Sequence, residues 1–493
     1  MLNEKYILTL DQGTTSTRAM LFNKQGDVVF KSQQEVACLF PNDGWVEQDG
    51  LALYLSCLNV INDILLRTNL TYDNIDSIGI TNQRETTIVW EKSTGMPIYN
   101  AIVWQSRQSA KYCDKWEKYH DLVHEKTGLI INPYFSASKI RFILDNVEGA
   151  QERAEKGELM FGTIDTWIMY KMSKGKIFKT DVTNASRTML FNIKTLKWDD
   201  ELLELFNIPR SMLPEVCPSS YKFGPATALK EDLYICGVAG DQQAALFGQN
   251  CFTKGESKNT YGTGCFMLMN IGEEPVLSKE GLITTVAWQI KNKTYYALEG
   301  SVFIGGAAIQ WLRDSMNLLN DAAESEVCAK KVQDCDGVYV VPAFVGLGAP
   351  YWDNECRGAV FGLTRRTTKD HFIRATLNSI ALQTKDVIRV MEKDIGTKIT
   401  TLKVDGGATQ NDYLLQFQSD ILKAKILLPN CEETTSLGVC YLAGLESGYY
   451  ENLEFIKSIH RYKKEVFPKM SSKEIRNIDK KWKMAIKATR VFK

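Results

Sequence analysis

The chain has 493 residues, 44% hydrophobic and 24% charged, the ordinary range for a globular protein. Its 59 Lys and Arg are matched by 59 Asp and Glu, which excludes a globally basic nucleic-acid binder and leaves at most a local patch. Such a length exceeds what one hydrophobic core organises, so two large domains or three smaller ones are expected.

The N-terminus, Met1-Leu2-Asn3-Glu4-Lys5, has no apolar h-region, so no secretory signal is expected. No uncharged apolar run reaches spanning length; the nearest, 337–349, contains Pro342 and three glycines and reads as a buried strand and loop. Twelve cysteines without a CxxC pair read as reduced thiols of a cytoplasmic protein. His120 and His124 share a helix face but lack neighbouring ligands, so no zinc site is expected.

In chain order, the β-prone runs 6–10 and 18–22 flank Asp11-Gln12-Gly13-Thr14-Thr15-Ser16. This reads as a hairpin in which Gly13 takes a positive φ and hydroxyls and turn N–H groups converge on an anion. Apolar spacing predicts a helix over 49–66, strands at 75–81 and 86–90, and another helix from 138. Between the two strands, Thr81-Asn82-Gln83-Arg84-Glu85-Thr86-Thr87 packs donors and acceptors suited to a small polyol, with Val103-Trp104 as an apolar wall. The competing reading is an exposed salt-bridged turn. A buried strand over 235–239 runs into Asp241 and a helix over 242–247; Asp241 is either an N-cap or a general base.

The polar stretch 250–257 is the expected domain boundary. A second hairpin follows, Asn259-Thr260-Tyr261-Gly262-Thr263-Gly264-Cys265-Phe266-Met267, half a chain length after the first. Thr368 opens a long helix with Ile373, Leu377, Ile380, Val387 and Met391 on one face. A strand at 402–404 enters Asp405-Gly406-Gly407 and a helix burying Leu414, Phe417 and Ile421, the α/β pattern. From Ser471 a Lys-rich terminal helix carries Ile475, Ile478, Trp482 and Ile486 toward a core. Walker A, protein-kinase and dinucleotide signatures are missing from the sequence.

Two facing hairpins followed by Asp405-Gly406-Gly407 resemble the actin, hexokinase and Hsp70 type of ATPase. That implies an α/β fold of two ribonuclease H-like domains, mixed sheets flanked by helices, enclosing a central cleft, with domains at 1–250 and 251–493. Residues 11–16, 81–90, Tyr134-Phe135-Ser136, 239–247, 260–269, 342–353 and 404–407 resemble the FGGY carbohydrate kinase family, specifically its members that act on glycerol. The similarity runs from about residue 5 to about residue 465.

The resemblance implies phosphorylation of glycerol by ATP to sn-glycerol 3-phosphate and ADP, a Mg²⁺-dependent cytoplasmic enzyme and a homo-oligomer, a dimer being favoured. It implies Asp241 as general base, with Arg84, Glu85, Tyr134, Asp241 and Gln242 holding glycerol and Trp104 and Phe266 lining its carbon side. Thr14, Thr15, Ser16 and Arg18 would meet the transferred or β-phosphate, and Thr263, Gly306, Gln310, Gly407 and Asn411 the nucleotide. Asp11 and Asp241 would flank Mg²⁺. Residues 226–232 lack the Arg and Gly pair with which some relatives bind fructose 1,6-bisphosphate, so that effector is not expected; nor does the C-terminal region support docking of a sugar-uptake regulator. Two alternatives stay open, an FGGY kinase for a pentulose or larger polyol and a non-catalytic nucleotide-dependent interaction protein.

Overall fold

The computed structural model describes residues 4–353 and 355–492. Tyr6–Gln12 (β1) and Ser16–Phe22 (β2) form the expected antiparallel hairpin, which Val28–Glu35 (β3) extends. Helix Gly50–Thr68 (α1) starts where the Asp49 carboxylate accepts the Leu51 and Ala52 N–H groups, and ends at Asn69 in the left-handed region. It is long and apolar enough to cross a membrane, yet its Leu53, Cys57, Val60, Ile61 and Ile64 are buried in the core beside Leu8, Leu10 and Leu21 of the sheet. Ile75–Asn82 (β4) returns parallel to β1. After a long helical insertion, Ser220–Pro225 (β5) and Tyr234–Gly240 (β6) add to the same sheet, β6 parallel to β4. Asp241–Gly248 (α2) follows β6 directly.

The second half repeats this plan. Ser257–Tyr261 (β7) and Cys265–Gly272 (β8) form a hairpin, and Ile283–Ile290 (β9) and Lys293–Val302 (β10) extend it, β10 pairing with both β8 and β9. Lys369–Ile395 (α3) leads to Thr401–Asp405 (β11), parallel to β7 as β4 is to β1. Asp412–Leu422 (α4), Lys425–Pro429 (β12), Thr434–Ser447 (α5), Tyr462–Val466 (β13) and Ser472–Val491 (α6) complete the half. The thirteen strands run in the order β13-β12-β11-β7-β8-β10-β9-β5-β6-β4-β1-β2-β3, and the halves join through one pair, Ser220 opposite Ile290. This is the duplicated, actin/hexokinase-type α/β architecture that the sequence led us to expect.

Two helices are exchanged between the halves. α5, late in the chain, packs on β1, β4 and β6, whereas α2 also reaches β7, β8 and β9. The two helices cross so closely that a Cβ on Gly438 would sit 1.9 Å from the Ala244 carbonyl oxygen, and one on Gly248 2.0 Å from that of Thr434. Their shared core joins Ile7, Met20 and Phe22 of the first half to Leu268, Trp288 and Ala297 of the second. The terminal helix packs as expected: Ile475, Trp482 and Ile486 are buried, and the Trp482 indole donates to Asp386 Oδ2 at 2.6 Å.

Three expectations shift. Gly13 is not at positive φ; its N–H donates to Ser16 O at 2.9 Å, and a Cβ there would meet the same oxygen at 3.2 Å. The strand expected at 86–90 is Ile88–Glu91, outside the main sheet and paired with Leu159–Gly162. The helix expected from 138 begins earlier, as Ser136–Asn146.

Candidate active site

Each hairpin carries a side chain that reaches the other half, Arg18 to Glu433 and Lys258 to Gln242. In the first, Thr14 is fixed from two sides: its carbonyl accepts from Gln48 Nε2 at 2.7 Å and its hydroxyl from Trp104 Nε1 at 2.9 Å. Thr15 is exposed at the tip and Ser16 nearly buried. Arg18, on β2, lies 3.9 Å from Asp11 Oδ2 and 3.4 Å from Glu433 Oε2, the latter at the start of α5.

In the second, Gly262 and Thr263 are exposed, and their carbonyls accept from Gly306 and Gly305 N–H at 2.9 and 2.8 Å. The tip therefore lies on the N-terminal end of helix Ala307–Asp314, whose first turns carry the exposed Gln310. Gly406 has φ +91°, and a Cβ on it would be 2.3 Å from Tyr261 O, so only glycine lets this turn lie against β7. Gly407, next in the chain, faces open space. Asn411 caps α4 through Leu414 N and donates to Ser325 Oγ at 3.2 Å.

The turn after β4 is not an exposed salt-bridged loop. Arg84 and Glu85 are 3% and 1% exposed. Glu85 takes φ +59°, strained for a non-glycine residue, and its carbonyl is held by Thr87 and Ser136 hydroxyls at 3.0 and 3.1 Å. Arg84 Nε lies 3.1 Å from Asp241 Oδ1; its Nη1 and Nη2 reach Glu299 Oε2 and Oε1 at 2.6 and 3.0 Å. Arg187 Nε donates to Glu85 Oε1 at 2.6 Å, and its Nη2 to Glu299 Oε1 at 3.1 Å. Burial opposes ionisation of Glu299, but Arg187 and Arg84 outweigh it and hold its pKa at about 2.

Asp241 is the first helical residue of α2, and Gly240 holds the N-cap position, so the capping reading of Asp241 gives way. Its side chain is one-third exposed, accepts from Gln242 N at 2.7 Å, and has its pKa raised by burial against the opposing pull of Arg84. Asp11 is raised to about 7, chiefly by burial, with Arg18 opposing and Asp241 adding to the rise. The buried Lys258 ammonium bonds Gln242 Oε1 and, at 2.8 Å, Thr260 Oγ1; burial lowers its pKa to about 8 against the pull of Asp405 and Asp241.

Aromatic rings border these charged groups. Trp104 and Tyr134 meet edge to face with centroids 5.5 Å apart. Lys139, fully buried on helix Ser136–Asn146, anchors the Tyr134 turn by donating to the carbonyls of Pro133, Tyr134 and Phe135. Phe266, half-buried on β8, pairs with Ser301 of β10. Among the described residues no group of three or more His, Cys, Asp and Glu gathers around a metal position.

A duplicated fold with two such hairpins, and an aspartate beside a buried Arg-Glu turn, defines a nucleotide-dependent small-molecule kinase of the actin/hexokinase class. The chain belongs to the FGGY family of carbohydrate kinases, whose N-terminal domain matches residues 6–248 and whose C-terminal domain matches residues 257–447. It is 57% identical to the glycerol kinases of Bacillus cytotoxicus and Bacillus cereus (strain G9842), in each case over 99% of this chain and 100% of the relative. Among solved structures it is similar to Plasmodium falciparum glycerol kinase with ADP, at 35% identity and a TM-score of 0.94, covering 99% of this chain and 98% of that one. Gluconate kinase from Lactobacillus acidophilus shares the fold, with 22% identity, a TM-score of 0.88, and coverage of 98% and 97%.

Sequence reasoning missed Arg187, Lys258, Glu299 and Glu433. Glu299 did leave a signal: it is the one charge within Tyr295-Tyr296-Ala297-Leu298-Glu299-Gly300, where a buried strand has no use for a carboxylate without a partner.

Proposed function

We propose that this chain transfers the terminal phosphoryl group of ATP to glycerol, giving sn-glycerol 3-phosphate and ADP. The observation that carries the reading is the Arg84–Asp241 pair beside Glu85, beneath Trp104 and Tyr134, in a chain 57% identical to glycerol kinases along its whole length. The pocket is lined for a short polyol, with charge for hydroxyls and aromatic faces for carbon.

In this reading Arg84, Glu85, Tyr134 and Gln242 orient glycerol, and Trp104 and Phe266 flank its carbon chain. Asp241 accepts the proton of the reacting hydroxyl as its oxygen bonds to the γ-phosphorus and the bond to ADP breaks. Thr14, Thr15, Ser16 and Arg18 meet the transferred or β-phosphate; Thr263, Gly306, Gln310, Gly407 and Asn411 meet the nucleotide, Asn411 through whatever its capping role leaves free. Asp11 and Asp241 suit a hard divalent cation, since each is an oxygen donor and they repel each other when both are ionised. Mg²⁺ needs only one or two carboxylates when phosphates and waters complete its shell, and it would neutralise phosphate charge. Closure of the halves excludes water that would compete as acceptor.

The same reading treats 1–250 and 251–493 as the two functional halves and the enzyme as a cytoplasmic homodimer. Twelve free thiols fit a reducing compartment. Glycerol-dependent release of ADP from ATP is the decisive assay. A preference for xylulose, ribulose or gluconate would replace glycerol as the acceptor, and ATP turnover indifferent to any polyol would remove the kinase reading.

A further inference from the structure

The acceptor turn does not hold itself in place. Arg84 and Glu85 sit on the first half, but the carboxylate that organises them, Glu299, comes from β10 of the second half, where it faces Leu268 on one side and Ile283 on the other. Its two oxygens take both terminal nitrogens of Arg84, and Oε1 also takes Arg187 Nη2. Arg187 in turn donates to Glu85 Oε1 at 2.6 Å. The Arg187 guanidinium also stacks over Tyr134 and Phe135, 5.8 and 5.3 Å from their centroids. Glu299 and Arg187 are 1% and 0% exposed, so neither link is diluted by solvent. With both Nη atoms tied to Glu299, the guanidinium plane is fixed and Nε is aimed at Asp241.

Resting on the glycerol kinase reading, we infer that Glu299 is a positioning residue of the acceptor site. Through Arg84 and Arg187 it fixes which edge of each polyol-binding side chain faces the substrate, and it makes that arrangement depend on contact between the two halves. Glu299 touches no reacting atom; its effect runs through Arg84, Arg187 and Glu85.

The test is steady-state kinetics of Glu299→Gln, Glu299→Asp and Arg187→Gln, with ADP affinity measured by calorimetry on the same preparations. Glu299→Gln is expected to raise KM for glycerol roughly 30- to 100-fold, the scale of breaking a buried charge pair, while ADP affinity stays within about twofold. Glu299→Asp recovers part of the loss, because one carboxylate oxygen still reaches Arg84. Arg187→Gln shows a smaller rise in the same constant, since it severs the links to Glu85 and to Glu299 Oε1 but leaves Glu299 holding both terminal nitrogens of Arg84; it decides the question alone if Glu299→Gln does not fold. In a Glu85→Gln background the Arg187→Gln change adds little, because both act on one contact. An unchanged glycerol KM in folded protein, or a parallel fall in ADP affinity, overturns the inference. Loss of polyol-dependent turnover for every acceptor in the unmodified protein strikes the glycerol reading instead, a result these variants do not produce.

Discussion

Trp104 Nε1 donates to Thr14 Oγ1 at 2.9 Å, so Trp104 and the first hairpin form one hydrogen-bonded unit. The Thr14 hydroxyl, once it accepts from the indole, has its own proton to give, which on the proposed reading would go to a phosphate oxygen. Trp104→Phe keeps an aromatic wall and deletes only that bond. The expected outcome is a rise of about threefold to tenfold in KM for both glycerol and ATP; a change confined to glycerol would show that the bond does not link the two sites.

Asp241→Asn keeps the size of the side chain and its place on α2 but removes its basicity. We expect kcat to fall about 10²- to 10⁴-fold with ATP binding retained, as measured by turnover and nucleotide titration. Near-normal kcat would take the proton-acceptor role away from Asp241.

Arg18 is shared between Asp11 of its own half and Glu433 of the other. On the proposed reading, a phosphate at the first hairpin would meet a guanidinium already drawn toward Glu433. Arg18→Met should therefore raise KM for ATP about tenfold and leave KM for glycerol near its original value, whereas Glu433→Gln should lower KM for ATP. If Glu433→Gln weakens ATP instead, the carboxylate steadies Arg18 for the nucleotide rather than competing with it.

Asp165 is fully buried, hydrogen-bonded by the Thr163 and Thr180 hydroxyls, and raised to about 7 by burial and then by Asp181. A folded pKa above the unfolded value near 3.8 means that the folded chain keeps a proton the unfolded chain has released. Its contribution to stability is present below the unfolded pKa and is lost as pH rises toward 7, by at most about 1.4 kcal/mol per pH unit. Asp165→Asn mimics the neutral acid, so its denaturation midpoint should fall less between pH 4.5 and 7.5 than that of the unmodified chain. Parallel profiles would refute the assignment.

Gly438→Ala places a methyl group 1.9 Å from the Ala244 carbonyl unless α5 and α2 separate. We expect a loss of about 2–3 kcal/mol and a lower Tm in thermal unfolding. An unchanged Tm would show that the helix pair yields without cost.

Much of this was legible in the sequence because local chemistry and fold agreed. The paired hairpins, the Asp405-Gly406-Gly407 turn and the periodicity of α3 and α6 lie where spacing put them. Gly13 misled because a hairpin glycine usually signals φ, whereas here it avoids crowding against Ser16. For Arg84 and Glu85 the exposed turn stayed open as a competing reading, since nothing local reveals that Glu299 lies opposite them, more than two hundred residues later in the chain. Pairings across the two halves, such as Arg187 with Glu299 and Arg18 with Glu433, have no local pattern to read; only the folded topology brings them together.

The exchange of α2 and α5 also bears on how the chain is made. During vectorial synthesis β1, β4 and β6 emerge early, yet the helix that covers their inner face lies near the far end of the chain. Ile7, Met20, Phe22 and Cys236 must therefore wait, with their apolar face bare, until Leu437, Val439 and Leu442 leave the ribosome. The order of translation and the order of assembly differ, and the nascent first half carries apolar surface that α5 has yet to cover.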